Sequence, residues 1–265
     1  MTVPFLKWAG GKRWLMHAGL PRPLSFERYV EPFLGGGAIF FGLRPERALL
    51  SDINPELIEL YEVMRDAPNA LRTCMEFHHA QHDHDYYYVV RAQRPEGLID
   101  RAARTLYLNR TCWNGLYRVN RRGEFNVPIG TKSAVVMPDD DFYAISSLLK
   151  RVEIACCDFE STIDQAKEGD FLFVDPPYTV KHNMNGFVKY NECIFTWADQ
   201  IRLRDSVSRA ASRGVAVVVT NADHPSVIEL YDQVAEYRSV PRSSVLAGPG
   251  NRRGRTTEAL FIANC

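Results

Sequence analysis

The sequence has no long apolar run, since no stretch approaches the roughly 18 residues that a membrane-spanning helix needs. Its first residues also lack the basic and then apolar layout of a signal peptide, and these two absences predict a protein that stays in the cytoplasm. The six cysteines show no Cys-x-x-Cys spacing, which predicts reduced thiols that pack as small apolar residues. The net charge is zero, so total charge neither supports nor excludes a nucleic-acid partner.

The composition that remains is that of an ordinary globular protein. With 265 residues, of which 46% are hydrophobic and 24% charged, the chain can form one large domain plus an insertion. Its basic residues are concentrated in three segments, 7–13, 101–132 and 238–255, in which Glu124 is the single acid. Three such segments on one face would form a phosphate-binding surface, and the alternative is that each is simply solvated.

A short apolar run at 171–174 ends in Asp175, Pro176, Pro177 and Tyr178. The run is too short for a helix and rich in aromatic and β-branched residues, so it predicts a buried strand that the prolines terminate. Chemistry is placed at such strand ends in open α/β sheets. A carboxylate, a carbonyl and a ring could there hold a planar amine. The four residues resemble the amine-binding motif of the amino-methyltransferases, which methylate adenine N6 or cytosine N4; the alternative is an incidental Asp-Pro turn.

Three earlier segments bear on a nucleotide-type ligand. Residues 28–41 have the pattern of a strand, a glycine turn and a helix, but Phe40 stands where the dinucleotide fingerprint has its third glycine, which counts against NAD. Asp52 follows the next apolar run, where an acid can bind ribose hydroxyls or cap a helix. Pro55 then predicts the start of a helix, whose apolar face is Leu57, Ile58, Leu60, Tyr61 and Met64. The turn from Trp8 to Lys12 lacks the glycine and hydroxyl positions of a Walker A loop. This turn offers a backbone that a ligand can approach closely and the Trp8 ring as a stacking surface. The alternative is that Trp8 is merely packed in the core.

From about residue 66 the sequence becomes helical, polar and rich in aromatics. His78 and His82 have the i, i+4 spacing of a metal pair, but no further ligand pattern accompanies them, so a solvated surface helix is favoured. Residues 108–130 then interleave amides, rings and arginines and predict a hairpin that turns at Arg122-Gly123. Such side chains suit DNA, because arginine reads guanine, asparagine reads adenine, and a ring can fill the space left by an extruded base.

The order of these motifs resembles that of the Dam family of DNA adenine methyltransferases, including relatives that modify GATC in restriction systems. The shared order is Lys-Trp-Ala-Gly-Gly-Lys, Glu-Pro-Phe-x-Gly-x-Gly, Asp-Ile-Asn, the recognition insert, Asp-Pro-Pro-Tyr and a closing basic loop, and it spans nearly the whole chain. The resemblance implies an α/β fold, with a Rossmann-like S-adenosylmethionine-dependent methyltransferase sheet and an inserted, mainly helical target-recognition domain carrying a β-hairpin. It implies a catalytic and cofactor-binding domain at 1–65 and 152–265 and a DNA-binding insert at 66–151.

The same resemblance implies roles for individual residues. The implied catalytic residues are Asp175, Pro176, Pro177 and Tyr178. The implied cofactor-binding residues are Trp8, Gly10, Lys12, Phe33, Gly35, Gly37, Asp52, Asp158, Phe159 and Asp175. The implied DNA-binding residues are Lys7, Arg110, Trp113, Asn114, Leu116, Arg118, Asn120, Asn126, Pro128, Arg252 and Arg253. Arg118 is assigned to guanine, and Trp113, a tyrosine in some relatives, to the space beside the flipped base.

The implied reaction moves a methyl group from S-adenosyl-L-methionine to N6 of a flipped-out adenine in duplex DNA, releases S-adenosyl-L-homocysteine and needs no metal. GATC is the expected site, with GATATC or relaxed specificity as alternatives. The expected partner is double-stranded DNA, and no membrane contact is expected. The protein is expected to be a monomer of bacterial or phage origin that is cytoplasmic and nucleoid-associated. Any cognate restriction endonuclease is expected to act separately. The rivals are an RNA methyltransferase, a protein-glutamine methyltransferase, whose family usually carries Asn in place of Asp175, and a noncatalytic DNA-binding protein.

The remaining segments complete the expected sheet and its loops. Thr179 to Asn191 is expected to form a mobile loop that closes over the flipped base. Thr196 is expected to cap a helix, and residues 215–220 to form a buried strand. Residues 239–256, with glycines among arginines, are expected to form a flexible phosphate-facing loop before a last strand at 259–263.

Overall fold

The fold was determined as a computed structural model, which describes residues 4–120, 122–180, 195–243 and 255–265. Within these ranges the helices are α1 (Arg13–Ala18), α2 (Ala38–Leu43), α3 (Pro55–Asp66), α4 (Pro68–Gln81), α5 (His84–Ala92), α6 (Leu98–Thr111), α7 (Phe142–Leu149), α8 (Phe159–Ile163), α9 (Trp197–Ser212) and α10 (Pro225–Tyr231). The strands are β1 (Arg28–Glu31), β2 (Ala48–Asp52), β3 (Val152–Cys156), β4 (Asp170–Val174), β5 (Ala216–Ala222), β6 (Glu236–Ser243) and β7 (Arg255–Ala263).

Parallel strand pairs predominate in the described residues, and helices connect these strands, which confirms the α/β, Rossmann-like fold class. The chain divides into two compact units. The first unit comprises residues 1–20 and 34–156, and the second comprises 21–33 and 157–265. The functional boundaries at 66 and 151 stay a prediction, because compactness does not show which residues bind DNA.

The second unit contains five strands in the order β1-β4-β5-β7-β6. The first three are parallel, while β7 runs antiparallel to β5 and β6 runs antiparallel to β7. Every residue of β4 is buried, as expected for an apolar parallel strand that is covered on both faces. The strand ends at Val174, so the predicted strand end before Asp175 is confirmed.

Helix α9 covers β5 and begins where the sequence predicts. The Thr196 hydroxyl accepts a hydrogen bond from the Asp199 N–H, and the Asp199 carboxylate accepts one from the Thr196 N–H. This reciprocal capping box satisfies two N–H groups that a helix start otherwise leaves unpaired.

In the first unit, β2 and β3 pair in parallel, and α3 follows β2. Pro55 occupies the first turn of α3, as predicted, and the predicted apolar face of this helix is buried. The helix is capped by Asn54, whose side-chain oxygen accepts from the N–H groups of Glu56 and Leu57. Asp52 is therefore not the helix cap. The structure excludes this role, one of the two that the sequence allows for Asp52.

Helix α6 is the centre of the helical part of the first unit. Residues 102–111 are all buried, and α3, α4 and α5 pack against this helix. A helix that is buried around its whole circumference needs partners for its polar side chains, and Arg104 finds them in the carbonyl oxygens of Val90 and Arg91, at 3.0 and 2.7 Å.

Most side chains of α4 are exposed, as predicted for a solvated surface helix, but His78 in this helix and His82 just after it are partly enclosed by aromatic rings. His78 is half-buried, stacks on the Tyr107 ring with centroids 4.8 Å apart, and is hydrogen bonded through Nδ1 to the Tyr86 hydroxyl at 2.8 Å. His82 Nδ1 is hydrogen bonded to the Tyr107 hydroxyl at 2.8 Å. Burial lowers the pKa of both imidazoles, so they remain neutral members of an aromatic cluster.

Several expectations concern segments at the edges of the described residues. Strand β6 reaches Ser243 and β7 begins at Arg255, so the flanks of the expected loop at 239–256 are strand. Arg252 and Arg253 lie outside the described residues, as does most of the loop expected to close over the base. Among the helices that are described, none has the length and apolar character to cross a membrane. In the same ranges, no cluster of three or more His, Cys, Asp or Glu is arranged to hold a metal ion.

Candidate active site

The Asp175 carboxylate is oriented by the neighbouring strand of the second unit. Val174 pairs with Val219 in the parallel β4–β5 ladder, which brings Thr220 beside Asp175. The buried Thr220 hydroxyl donates a hydrogen bond of 2.6 Å to Asp175 Oδ1. A donated hydrogen bond restricts the rotation of the carboxylate. Asp175 itself is only half-buried, so its carboxylate lies at a strand end within reach of a ligand.

Tyr178 is held by a buried glutamate on the last strand. Its hydroxyl donates to Glu258 Oε2 at 3.0 Å, and the Arg242 guanidinium donates to Glu258 Oε1. Burial, together with the negative charges of Asp175 and Glu258, raises the pKa of Tyr178 well above its ordinary value. Tyr178 is therefore a neutral phenol whose ring plane is fixed at one end, as a stacking surface requires.

The backbone of the Asp-Pro-Pro-Tyr segment is anchored from α9. The Gln200 side-chain N–H donates to the Pro177 carbonyl at 3.4 Å, and Gln200 Oε1 accepts from the Asn221 amide at 3.1 Å. Both amide side chains are fully buried. This hydrogen bond satisfies the Pro177 carbonyl beyond the point where the prolines, which have no N–H to donate, end the strand pairing.

The sequence reasoning assigned no role to Thr220, Gln200, Arg242 or Glu258. Thr220 could have been found, because a hydroxyl at the end of the strand adjacent to β4 falls beside Asp175 once the parallel register is known. Glu258 carried a weaker signal, since an acid next to an apolar strand is common. Only the antiparallel return of β7 brings it to Tyr178.

An aromatic cluster in the second unit contains two of the predicted cofactor-binding residues. Phe33 stacks on Phe159 with centroids 5.4 Å apart and planes at 24°, and Phe195 lies edge-on to Phe33 at 5.8 Å. The Arg202 guanidinium lies 4.3 Å from the centre of the Phe159 ring and pairs with both oxygens of Asp158 at 2.8 and 2.9 Å. Phe33 is only half-buried, so this cluster presents a ring to a planar ligand.

In the first unit, Asp52 closes the glycine turn. Its two carboxylate oxygens accept hydrogen bonds from the N–H groups of Gly35 and Asn54, both at 3.0 Å, and the Tyr61 hydroxyl donates to the Gly35 carbonyl at 3.1 Å. Burial raises the pKa of Asp52, and the backbone N–H donors oppose that rise. The turn is thus shaped by an acid at the end of β2, where the sequence predicts a ligand-binding acid.

Trp8 packs directly on this turn. A Cβ atom at Gly35, where φ is +47°, would lie 2.7 Å from Trp8 Cδ1, so a side chain there would collide with the indole. Lys12 is almost completely buried and donates to the Gly10 carbonyl at 2.6 Å. The structure therefore brings Trp8, Gly35 and Asp52 together around one turn, and it ties Lys12 to the preceding loop.

The predicted hairpin around Arg122-Gly123 is confirmed. The Asn120 and Gly123 N–H groups donate to the carbonyls of Glu124 and Asn120, and the Asn126 N–H donates to the Arg118 carbonyl. Gly123 adopts a φ of +74°, which the turn requires. The Asn120 side chain also accepts from the Glu124 N–H, so part of its role is to shape the turn.

The predicted DNA-reading side chains differ in how accessible they are. Arg118 is exposed, and its guanidinium donates to Asn126 Oδ1 at 2.8 Å and to the Asn126 carbonyl at 3.5 Å, so it lies against the facing segment of the hairpin. The Trp113 side chain is 52% exposed, and its backbone N–H is bonded to the carbonyl of the exposed Pro128 at 2.9 Å. Asn114 is exposed, whereas Leu116 is half-buried.

Lys7 lies against the start of the hairpin. Its backbone N–H and carbonyl are both bonded to the Asn109 side chain, at 3.0 and 2.7 Å, and its side chain covers Gly115. Burial and the nearby Lys132 ammonium lower the pKa of Lys7. Two cations brought this close favour an anionic or strongly accepting ligand.

Arg110 differs from the other predicted DNA contacts, because it is inside the protein. Its guanidinium pairs with both oxygens of Asp140 at 2.5 and 2.7 Å and donates to the carbonyls of Val135 and Phe5. The side chain is 3% exposed. A guanidinium so enclosed cannot reach a phosphate, and we correct its role to a structural one. The prediction considered the positive charge of Arg110 but not its pairing with Asp140, which lies 30 positions later in the sequence.

Comparisons with known proteins agree with these features. Residues 8–244 match the family model MethyltransfD12, described as D12 class N6 adenine-specific DNA methyltransferase. The chain is 36% identical to Type II methyltransferase M1.LlaDCHI of Lactococcus lactis subsp. cremoris, over 97% of this chain and 94% of the relative. It is 34% identical to Type II methyltransferase M.MjaIII of Methanocaldococcus jannaschii, over 98% of each chain. It is 32% identical to a DNA adenine methylase of Haemophilus influenzae, over 98% of this chain and 93% of the relative.

Proposed function

Because the chain belongs to the D12 class of N6 adenine-specific DNA methyltransferases, we propose that it transfers the methyl group of S-adenosyl-L-methionine to adenine N6 within GATC in duplex DNA. The observation that carries this proposal is the Asp-Pro-Pro-Tyr segment at the end of β4, with a carboxylate oriented by Thr220 and a phenol ring held by Glu258. We further propose that the protein acts as a monomer, and that any cognate restriction endonuclease is a separate protein.

Asp175 and the Pro176 carbonyl would make the target amine nucleophilic. The lone pair of adenine N6 is delocalised into the ring, and two hydrogen bonds accepted from the amine favour a pyramidal nitrogen with a localised lone pair. In the proposed transfer, the new N–C bond would form in line with the methyl–sulfur bond that breaks. The amine proton would become acidic only as the N–C bond forms. Asp175 would accept this proton, and it need not be a strong base beforehand.

Tyr178 and Trp113 would offset the cost of taking the adenine out of the helix. Unstacking and unpairing a base costs a few kcal/mol, and stacking on an aromatic ring recovers about 1–3 kcal/mol. The Tyr178 ring is fixed by Glu258, so little side-chain entropy is lost when the base stacks on it. The exposed Trp113 ring is suited to fill the space that the base leaves.

The residues that we assign to the cofactor fit its chemistry. S-adenosyl-L-methionine supplies a sulfonium-activated methyl group when bound. Asp52 would accept hydrogen bonds from its ribose hydroxyls, and the Gly35 turn allows a ligand to approach the backbone closely. Phe33 and Phe159 would contact its adenine ring, and Trp8 provides a further apolar surface beside the turn.

Replacing Asp52 by alanine is expected to weaken the binding of S-adenosyl-L-homocysteine about 10- to 100-fold, because a hydrogen bond to a charged group contributes about 1.5–3 kcal/mol. The pKa of Asp52 is raised, so lowering the pH should protonate it earlier than an ordinary aspartate and weaken binding from a higher pH. Titration calorimetry at several pH values measures both effects. Asp66→Ala, at the exposed carboxylate of the last residue of α3, is the matched control. Unchanged affinity of the Asp52 variant would remove this residue from the site.

Replacing Arg118 by alanine is expected to relax sequence choice. The exposed guanidinium is assigned a bidentate contact with guanine, and its loss should remove about 1–3 kcal/mol of discrimination at that base pair. Competition between GATC duplexes and duplexes altered at the guanine measures this quantity. Arg72→Ala changes an equally exposed arginine on α4 and should leave discrimination intact. If the Arg118 variant kept the original preference, guanine would be read by another residue.

Methylation-aware sequencing of a plasmid tests the proposed function as a whole. The plasmid is grown in a host that lacks its own adenine methylation and expresses this chain. We expect N6-methyladenine at GATC sites. In unrelated sequences we expect only the background level of this base. Methylation confined to another motif would overturn the proposed site, and an unmodified plasmid from cells that contain the folded protein would overturn the proposed activity.

A further inference from the structure

The Tyr117 side chain lies between the predicted cofactor turn and the predicted DNA-reading hairpin, all within the first unit. Its ring stacks on Trp8 with centroids 5.4 Å apart and planes at 23°. Trp8 in turn packs on the glycine turn, where a Cβ at Gly35 or Gly36 would lie 2.7 or 3.2 Å from its side chain. Any ligand that fixes Trp8 therefore also acts on the surface against which Tyr117 packs.

A second contact joins Tyr117 to the segment that follows Asp52. The Tyr117 hydroxyl donates to Glu56 Oε2 at 2.8 Å, and Glu56 lies in the first turn of α3. The cap of this helix, Asn54, donates its backbone N–H to Asp52 at 3.0 Å. Burial and the Glu56 charge raise the pKa of Tyr117, so the phenol remains a hydrogen-bond donor at neutral pH.

On the hairpin side, Tyr117 belongs to the small core that sets the position of Arg118. Its ring lies 5.9 Å from the Phe125 ring, edge-on at 64°, and Phe125 is buried. The next residue, Arg118, is exposed, and its carbonyl accepts the Asn126 N–H. The packing of Tyr117 on Phe125 thus fixes the backbone position of the neighbouring Arg118.

We propose that Tyr117 is a positioning residue that couples cofactor binding to DNA recognition, an inference that rests on the proposed function. Cofactor binding beside Trp8 and Asp52 restricts the Trp8 ring and the first turn of α3, which carries Glu56. Tyr117 contacts both and transmits this restriction to the hairpin. The second ligand then meets a site that is already ordered, so it loses less conformational entropy on binding. Thermodynamic linkage requires the effect to be reciprocal, so cognate DNA must tighten cofactor binding by the same factor.

The test measures this coupling factor in both directions. The affinity of a fluorescent duplex with one GATC site is measured by anisotropy with and without saturating S-adenosyl-L-homocysteine, which prevents turnover. The affinity of S-adenosyl-L-homocysteine is measured by calorimetry with and without the duplex. For the wild type we expect each ligand to tighten the other about 5- to 150-fold, the usual range of allosteric coupling.

Three variants separate coupling from simple structural support. Tyr117→Ala removes the ring and the hydroxyl and should bring the factor close to one. Tyr117→Phe keeps the stack on Trp8, loses the Glu56 hydrogen bond, and should give an intermediate factor. Tyr143→Ala changes an exposed tyrosine on α7 and should behave as the wild type.

The outcomes distinguish this inference from the function on which it rests. If the wild type methylates DNA but shows no coupling, or if Tyr117→Ala retains the wild-type factor, the inference is overturned and the proposed function stands. If the wild type binds neither S-adenosyl-L-homocysteine nor the duplex, the proposed function fails and the inference fails with it. A fall in both affinities of Tyr117→Ala with an unchanged factor would assign Tyr117 a purely structural role.

Discussion

Replacing Asp175 by alanine is expected to reduce the rate of methyl transfer at least about 10³-fold, which is the range for losing a group that acts on the reacting atoms in the transition state. The side chain is half-buried and follows Val174, the last residue of β4 that pairs with β5, and it accepts a hydrogen bond from Thr220. Its removal should therefore leave the sheet intact while the target amine loses the acceptor that localises its lone pair. Single-turnover transfer of a labelled methyl group to a duplex measures the chemical step.

Two further variants control this experiment. Asp232→Ala removes an exposed carboxylate after α10 in the same unit and should keep the wild-type rate. Thr220→Val keeps Asp175 but removes the hydroxyl that orients it, and a loss of roughly 10-fold or more is expected because a hydrogen bond to a charged group contributes about 1.5–3 kcal/mol. A folded Asp175→Ala enzyme that turns over at the normal rate would contradict the assignment of this carboxylate.

Replacing Asp140 by alanine is expected to lower the free energy of unfolding by about 3–5 kcal/mol, because it leaves a buried guanidinium without its counter-charge. Arg110 is 3% exposed and uses Asp140 as a bidentate partner, and the same carboxylate accepts the Met137 N–H at 2.8 Å. The variant thus loses an ion pair and the hydrogen bond that shapes the adjoining loop. Urea denaturation measures the change in the free energy of unfolding.

The neighbouring Asp139 provides the control. It is exposed, and Asp139→Ala should change the free energy of unfolding by no more than about 0.5 kcal/mol. If Asp140→Ala were as stable as Asp139→Ala while DNA affinity fell, the Arg110 charge would act on DNA after all, and the structural role that we assign to it would be wrong.

The parts of the fold that could be predicted are those that local sequence determines. The strand before Asp175, the helix that begins at Pro55 and the cap at Thr196 each follow from a few adjacent residues, and the structure confirms all three. The same holds for the hairpin at Arg122-Gly123, whose turn chemistry is contained in its own sequence.

The parts that escaped prediction depend on residues that are distant in sequence. Thr220 and Glu258 reach the Asp-Pro-Pro-Tyr segment only through the pairing of three strands. His78 was expected in solvent, because its aromatic partner Tyr107 lies on another helix. Arg110 was expected on DNA for a similar reason, since a basic residue in a basic segment gives no sign of a distant carboxylate that encloses it.

The most direct measurement is to identify the nucleoside that the purified protein modifies. Duplex DNA lacking methylation is incubated with the protein and S-adenosyl-L-methionine carrying a labelled methyl group, and the DNA is digested to nucleosides and separated by chromatography with mass detection. We predict that the label appears in N6-methyldeoxyadenosine and disappears when the adenine of GATC is replaced. Label in N4-methyldeoxycytidine, label on protein or RNA in preference to duplex DNA, or no transfer by the folded protein would contradict the central claim that Asp175 and Tyr178 hold an adenine amine for methylation.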